Sequence, residues 1–127
     1  MSKRILVIED QEDNRKILRD LLTSADFEVI EAVDGEAGLA AAAAHRPDLI
    51  LMDIQLPGID GYEATRRLKT DAALCAIPII AVTSYALSGD AEKVRAVGCD
   101  AYISKPYSPR ELLAKVRQHL SSGTPAR

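Results

Sequence analysis

Three carboxylates stand directly after short apolar runs of the sequence, where residues that do chemistry often lie. Glu9 and Asp10 follow the run at residues 5–8, and Asp53 follows the run at residues 49–52. If these runs are neighbouring parallel strands, their ends meet at one edge of a sheet. Carboxylates crowded together raise one another's pKa unless a cation neutralises them. The spacing therefore indicates a cation site at this edge.

The residue types around these carboxylates favour a hard divalent ion and phosphoryl chemistry. No His or Cys stands next to them, which argues against zinc or copper, and Mg²⁺ prefers oxygen ligands together with phosphate. Asp53 is then a candidate nucleophile that forms an acyl phosphate. Thr83 and Lys105 follow two further apolar runs and are candidates to stabilise the charge of the transferring oxygens.

The elements that position these residues are short apolar runs that alternate with helical patterns. The runs are strand-length and apolar throughout, as in a parallel sheet buried on both faces. They occupy residues 5–8, 28–30, 49–52, 78–82 and 101–103. The alternation predicts an α/β fold: an open, doubly wound, five-stranded parallel sheet with helices on both faces. We expect one domain over residues 1–120 and a flexible C-terminal tail over 121–127.

Several residues are typical of helix ends. Asp34 precedes the alanine-rich helix, and Ser88 is expected to cap a fourth helix that Gly98 ends. Ser108 begins a capping box, Ser-Pro-Arg-Glu, at the start of the fifth helix. Asp60 is predicted to be a turn or capping residue before Gly61.

Each candidate site residue also has an ordinary structural role when it is taken alone. Asp53 is compatible with a turn, and Glu9-Asp10 with a solvated acidic loop in which Asp13 or Asn14 caps the first helix. Thr83 could end a strand, and Lys105 could be a surface charge. The coincidence of all of them at strand ends favours a shared site.

The composition and net charge of the chain argue against several classes of function. The chain has 127 residues, 47% hydrophobic and 28% charged, with a net charge of −3. An acidic chain argues against direct nucleic-acid binding, which needs a basic face. The sequence contains no apolar stretch of membrane-spanning length and no signal-peptide pattern, so we expect a cytoplasmic protein without a membrane partner. Its two cysteines form no C-x-x-C pair, which predicts reduced thiols.

Nearly the whole chain resembles the receiver domain of two-component response regulators. The resemblance rests on Ile-Glu-Asp at residues 8–10, Asp-Leu-Ile-Leu-Met-Asp-Ile-Gln-Leu-Pro-Gly-Ile-Asp-Gly at 48–61, Pro-Ile-Ile-Ala-Val-Thr-Ser-Tyr-Ala at 78–86 and Gly-Cys-Asp-Ala-Tyr-Ile-Ser-Lys-Pro at 98–106. It implies a flavodoxin-like receiver fold with strand order 2-1-3-4-5. It also implies phosphorelay signal transduction, in which Asp53 accepts a phosphoryl group from a phosphohistidine.

The resemblance assigns roles to the other site residues. Mg²⁺ would be held by the following groups: Glu9, Asp10, Asp53 and the backbone carbonyl of Gln55. Thr83 would bond a phosphoryl oxygen, Lys105 would pair with the phosphate, and the peptide bond before Pro106 would be cis.

The resemblance also implies a switch. Thr83, Ser84 and Tyr102 would change a docking face formed by helix 4, strand 5 and helix 5. Tyr85 is further expected to shield the phosphate from water.

The sequence shows no DNA-binding or enzymatic output segment, and in this respect it resembles the single-domain regulators. Among these regulators it looks most like the DivK cell-cycle regulators. Receivers from hybrid histidine kinases share much of the pattern. The implied partners are a histidine kinase or histidine phosphotransfer protein and a downstream protein target, with the receiver a monomer or weak dimer. The implied protein is no enzyme beyond its own phosphoryl transfer and autodephosphorylation.

Three other functions remain as alternatives. A phosphatase of the haloacid-dehalogenase type would carry a second carboxylate where Gln55 stands. A flavodoxin-like FMN binder would need a hydroxyl-rich loop after the first strand, where this chain is acidic. A phosphorylation-independent adaptor would not need the full acidic, Thr and Lys set.

Overall fold

The computed structural model describes residues 3–83 and 90–122, and within them strands and helices alternate. The strands are β1 (Arg4–Ile8), β2 (Glu28–Ala32), β3 (Leu49–Asp53), β4 (Ile79–Thr83) and β5 (Ala101–Ser104). The helices are α1 (Glu12–Ser24), α2 (Gly35–His45), α3 (Gly61–Thr70), α4 (Asp90–Ala96) and α5 (Pro109–Ser122).

The strands form one parallel sheet in the order β2-β1-β3-β4-β5. Strands β3 and β4 are buried along their whole length, because their aliphatic residues are covered on both faces of the sheet. The α/β class, the parallel sheet and the strand order predicted from the sequence are confirmed.

Two apolar clusters lie on opposite faces of the sheet. Alternate residues of β1 separate between them, with Leu6 and Ile8 in one cluster and Ile5 and Val7 in the other. The first cluster also receives buried residues of α2 and α3, and the second receives those of α1 and α5. The sheet is thus covered by helices on both faces, which leaves the carboxyl ends of the strands as an open edge.

Helix caps follow the sequence closely with one exception. Asp34 Oδ1 accepts a hydrogen bond from Ala37 N, Asp60 Oδ1 from Glu63 N, and Ser108 Oγ from Glu111 N. The predictions for Asp60 and Ser108 are confirmed, and the cap at Asp34 is a finding of the structure.

Helix α1 differs from the predicted capping. Its N-cap is Gln11, whose side chain makes no capping bond, and Asp13 lies inside the first turn. Capping of this helix by Asp13 or Asn14 is therefore wrong. The helix begins earlier because the backbone turns immediately after Glu9, whose carboxylate accepts a bond from Gln11 N.

Two other boundaries differ from the sequence prediction by two residues. Strand β2 extends to Ala32, and α5 continues to Ser122 rather than ending at residue 120. Gly98 follows α4 and has a φ of 105°, and such a positive φ is common for the residue just after the end of a helix. The predicted cap at Ser88 and residues 123–127 of the predicted tail lie outside the described residues. Among the described helices, none has the length and apolar character needed to cross a membrane.

Candidate functional site

Three acidic side chains converge at the open edge of the sheet. Strands β1 and β3 pair with Ile8 opposite Met52, so the residues that follow them lie side by side. Carboxylate oxygens of Glu9, Asp10 and Asp53 all lie within 4.8 Å of one another. The fold therefore brings together residues that are more than forty positions apart in the chain.

Glu9 is a buried carboxylate, with only 2% of its surface exposed. Its Oε2 accepts a hydrogen bond from Gln11 N at 3.0 Å. Burial, together with the nearby charge of Asp53, raises the pKa of Glu9 to about 7, although the Gln11 N–H and the Lys105 ammonium oppose the rise. Around neutral pH this carboxyl is therefore only partly ionised, and a nearby cation would stabilise its ionised form.

Asp53 lies at the end of β3 and is 6% exposed. Its Oδ1 accepts a hydrogen bond from Gln55 N at 3.1 Å, which fixes the direction of the carboxylate. The Lys105 ammonium lies 3.8 Å from Asp53 Oδ1 and 3.6 Å from Glu9 Oε1. One cation of the protein therefore already faces two of the three carboxylates.

Thr83 and Lys105 reach the same edge from β4 and the segment after β5. Thr83 is buried at the end of β4, opposite Ser104 of β5. Lys105 N donates to Thr83 O at 2.8 Å, and the Lys105–Pro106 peptide bond is cis. Ser84 and Tyr85 lie outside the described residues.

Tyr102 lies on β5 opposite Ala81 and is half-buried against the apolar cluster of the α2 and α3 face. It also lines a surface cavity of about 430 Å³. This cavity is bordered by β5 together with three charged residues from α4 and α5: Arg95, Glu111 and Lys115. Tyr102 is therefore placed between the core and the surface that contains helix 4, strand 5 and helix 5.

A close backbone approach supports the loop that follows Asp53. A Cβ on Gly61 would lie 2.5 Å from Asp53 O and 2.6 Å from Ile54 Cα. These are backbone atoms that cannot move aside, so a larger residue would displace α3 from the site. Gly58 in the same loop has φ of 73°, a conformation that favours glycine.

The structure also brings in a residue that the sequence reasoning missed. Arg15 Nη1 lies 3.1 Å from Glu9 O and 3.4 Å from Asp10 O, so its guanidinium touches the backbone of the acidic loop. The sequence shows a basic residue in the first turn of α1, close to the acidic loop, and this was the available signal. The ion pair of Arg15 with Glu31 on β2 could not be read from the sequence, because it forms only in the tertiary structure.

The donor set fits Mg²⁺. Carboxylate oxygens are hard ligands, and two of the three carboxylates are buried, where their mutual repulsion is poorly screened. Glu9, Asp10 and Asp53 are the side chains that would hold the ion, and the ion would neutralise charge on phosphoryl oxygens. No carboxylate stands two residues after Asp53, so the arrangement lacks the second acid of a haloacid-dehalogenase-type site.

A parallel sheet of order 2-1-3-4-5 with acids and a lysine at its carboxyl edge defines the class of flavodoxin-like receivers. Residues 5–117 match the model of the response regulator receiver domain. The chain belongs to the response regulator receiver domain family of two-component phosphorelay systems.

Proteins of similar sequence and solved structures of similar fold support this family assignment. The polar-differentiation response regulator DivK of Brucella anthropi is 47% identical over 120 residues, which cover 94% of this chain and 98% of that protein. DivK of Brucella ovis is 46% identical with the same coverage.

Two solved receivers share the fold closely. The receiver domain of sensor histidine kinase PA1611 from Pseudomonas aeruginosa, with a magnesium ion coordinated in its active-site cleft, has a TM-score of 0.90 at 34% identity and covers 95% of this chain and 99% of its own. Chemotaxis response regulator CheY4 of Vibrio cholerae has a TM-score of 0.89 at 26% identity and covers 94% and 99%.

Proposed function

We propose that Asp53 is the phosphoacceptor of this receiver and that Glu9, Asp10, Asp53 and the Gln55 carbonyl hold Mg²⁺. The observation that carries the proposal is the convergence of three carboxylates within 4.8 Å beside the Lys105 ammonium. The magnesium in the active-site cleft of the PA1611 receiver supports the same ion here.

The chemistry is a phosphoryl transfer from a phosphohistidine. An oxygen of Asp53 attacks phosphorus, the phosphorus–nitrogen bond breaks, and the imidazole nitrogen leaves with the electron pair and takes up a proton. The Gln55 N–H, bonded to Asp53 Oδ1, directs the other carboxylate oxygen toward the donor. Lys105 then pairs with the phosphoryl oxygens and Thr83 donates its hydroxyl proton to one of them.

The output is a change of the docking face formed by α4, β5 and α5. Movement of Thr83 onto the phosphate, with Ser84, frees space that Tyr102 takes up by rotating inward. The half-buried position of Tyr102 beside a surface cavity supports this role. Tyr85 shields the phosphate from water and slows its hydrolysis.

The partners are a histidine kinase or histidine phosphotransfer protein that supplies the phosphoryl group and a protein target that reads the docking face. The protein works in the cytoplasm, as a monomer or weak dimer, without direct nucleic-acid binding. Its chemistry is limited to its own phosphorylation and autodephosphorylation. The high coverage of DivK supports a regulator of that type, with a receiver domain over residues 1–120.

The test is phosphorylation by acetyl phosphate or phosphoramidate with Mg²⁺, followed by intact mass and base treatment. We expect one base-labile phosphoryl adduct on the wild type, none on D53N, and none without Mg²⁺. D60N is the matched control, because Asp60 lies in the same loop but serves as the cap of α3. An adduct of wild-type yield on D53N would refute the assignment.

A further inference from the structure

We propose that Arg15 is a positioning residue for the Mg²⁺ site, which holds the loop of Glu9 and Asp10 so that both carboxylates face the ion. The inference rests on the proposed function, since it needs the ion at this edge of the sheet. Arg15 itself is not expected to touch the ion, the phosphate or the donor.

The contacts place the guanidinium against the backbone of two consecutive acidic residues. Arg15 Nη1 donates to Glu9 O at 3.1 Å and, more weakly, to Asp10 O at 3.4 Å. Carbonyls that are fixed in this way limit rotation of the loop, and so limit the directions in which its side chains can point. Residues that orient metal ligands in this manner strongly affect metal affinity.

The guanidinium is itself held from a third element. Arg15 Nε lies 3.2 Å from Glu31 Oε1, and Glu31 stands on β2 opposite Val7 of β1. The Arg15 side chain is only 15% exposed. Arg15 therefore ties α1, the acidic loop and β2 together at the point where the carboxylates emerge.

Arg19 provides a matched comparison on the same helix. Its Nη1 lies 3.1 Å and 3.0 Å from the two Glu31 oxygens. Among the described residues, Arg19 bonds the Glu31 carboxylate and not the carbonyls of the acidic loop. Loss of either arginine removes a partner of Glu31, but only loss of Arg15 releases the loop.

The sign of the effect separates positioning from simple charge. A guanidinium near three carboxylates repels a cation, so removal of its charge alone would strengthen Mg²⁺ binding. Release of the loop weakens Mg²⁺ binding instead. The proposal therefore predicts a change opposite to that expected from net charge.

The experiment is Mg²⁺ titration of the unphosphorylated protein by isothermal calorimetry, with thermal unfolding in chelator as a measure of stability. We expect R15A to bind Mg²⁺ about tenfold more weakly, the size typical of lost ligand orientation. R19A is expected to keep wild-type affinity while losing stability as R15A does. R15K retains the charge but cannot bond Glu31 and the loop with one planar group, so it is also expected to bind weakly.

Wild-type or tighter affinity in R15A or R15K would overturn the proposal, as would equal weakening in R19A. If R15A does not fold, R15K gives the deciding measurement. Failure of the wild type to bind Mg²⁺ would instead refute the proposed function, and the inference would fall with it.

Discussion

The buried carboxyl of Glu9 makes the stability of the metal-free protein depend on pH in an unusual direction. Its pKa rises from 4.5 to about 7 on folding, mainly because the side chain is buried. Between these two values the folded protein binds a proton that the unfolded chain has released. The favourable contribution of protonated Glu9 is therefore complete below pH 4.5 and is lost as pH rises through about 7.

The magnitude follows from the difference between the two pKa values. Each pH unit of difference corresponds to about 1.4 kcal/mol, so ionised Glu9 costs the folded state about 3 kcal/mol. This is a large share of the roughly 5–15 kcal/mol that stabilises a typical domain. A bound cation removes this cost, because it offsets the negative charge of the ionised carboxylate.

The substitution E9Q replaces the carboxyl by a neutral amide, whose oxygen can still accept a hydrogen bond from the Gln11 N–H. We expect E9Q and the wild type to have similar free energies of unfolding near pH 4.5, where Glu9 is protonated. Near pH 8 the variant is expected to be more stable by about 3 kcal/mol in chelator. Addition of Mg²⁺ is expected to stabilise the wild type more than the variant.

The assay is urea unfolding followed by circular dichroism at several pH values, with E12Q as control. Glu12 is an exposed carboxylate in the first turn of α1, so its replacement removes one charge without altering the buried cluster. A difference between E9Q and wild type that stays within about 0.5 kcal/mol from pH 5 to pH 8 would refute the reasoning, because surface substitutions alone give changes of that size.

Two further predictions concern contacts between the helices and the sheet. In G38A the new Cβ would lie 2.4 Å from Cδ1 of buried Ile8. We therefore expect the free energy of unfolding in urea to fall by about 1–3 kcal/mol, and an unchanged value would refute this tight contact. The Lys69 ammonium lies 3.0 Å from Asp100 Oδ2, which also accepts a bond from the Ile79 N–H at 2.8 Å. We expect K69M to lose about 1–3 kcal/mol, and a double-mutant cycle with D100N to show coupling; additive losses would contradict the pair.

The sequence by itself determined the fold class and the candidate site residues. Continuous aliphatic runs specify buried parallel strands, because only such runs can be covered by helices on both faces. Parallel strands end at one edge, so the residues that follow them, Glu9, Asp10, Asp53, Thr83 and Lys105, were predictable as neighbours. The caps at Asp34, Asp60 and Ser108 were also predictable, since capping depends on residues three positions apart.

Only the tertiary structure decided how these residues act on one another. The raised pKa of Glu9 requires its burial between strand ends, and the Lys105 contact joins residues that lie 96 positions apart. The start of α1 at Glu12, against the predicted cap, depends on the turn that Glu9 itself stabilises. Arg15 contacts both the acidic loop and Glu31, and the register of β1 and β2 places these two partners within reach of one side chain. Periodicity and spacing are local properties of a chain, whereas burial, charge proximity and the anchoring of a side chain arise only when distant segments pack together.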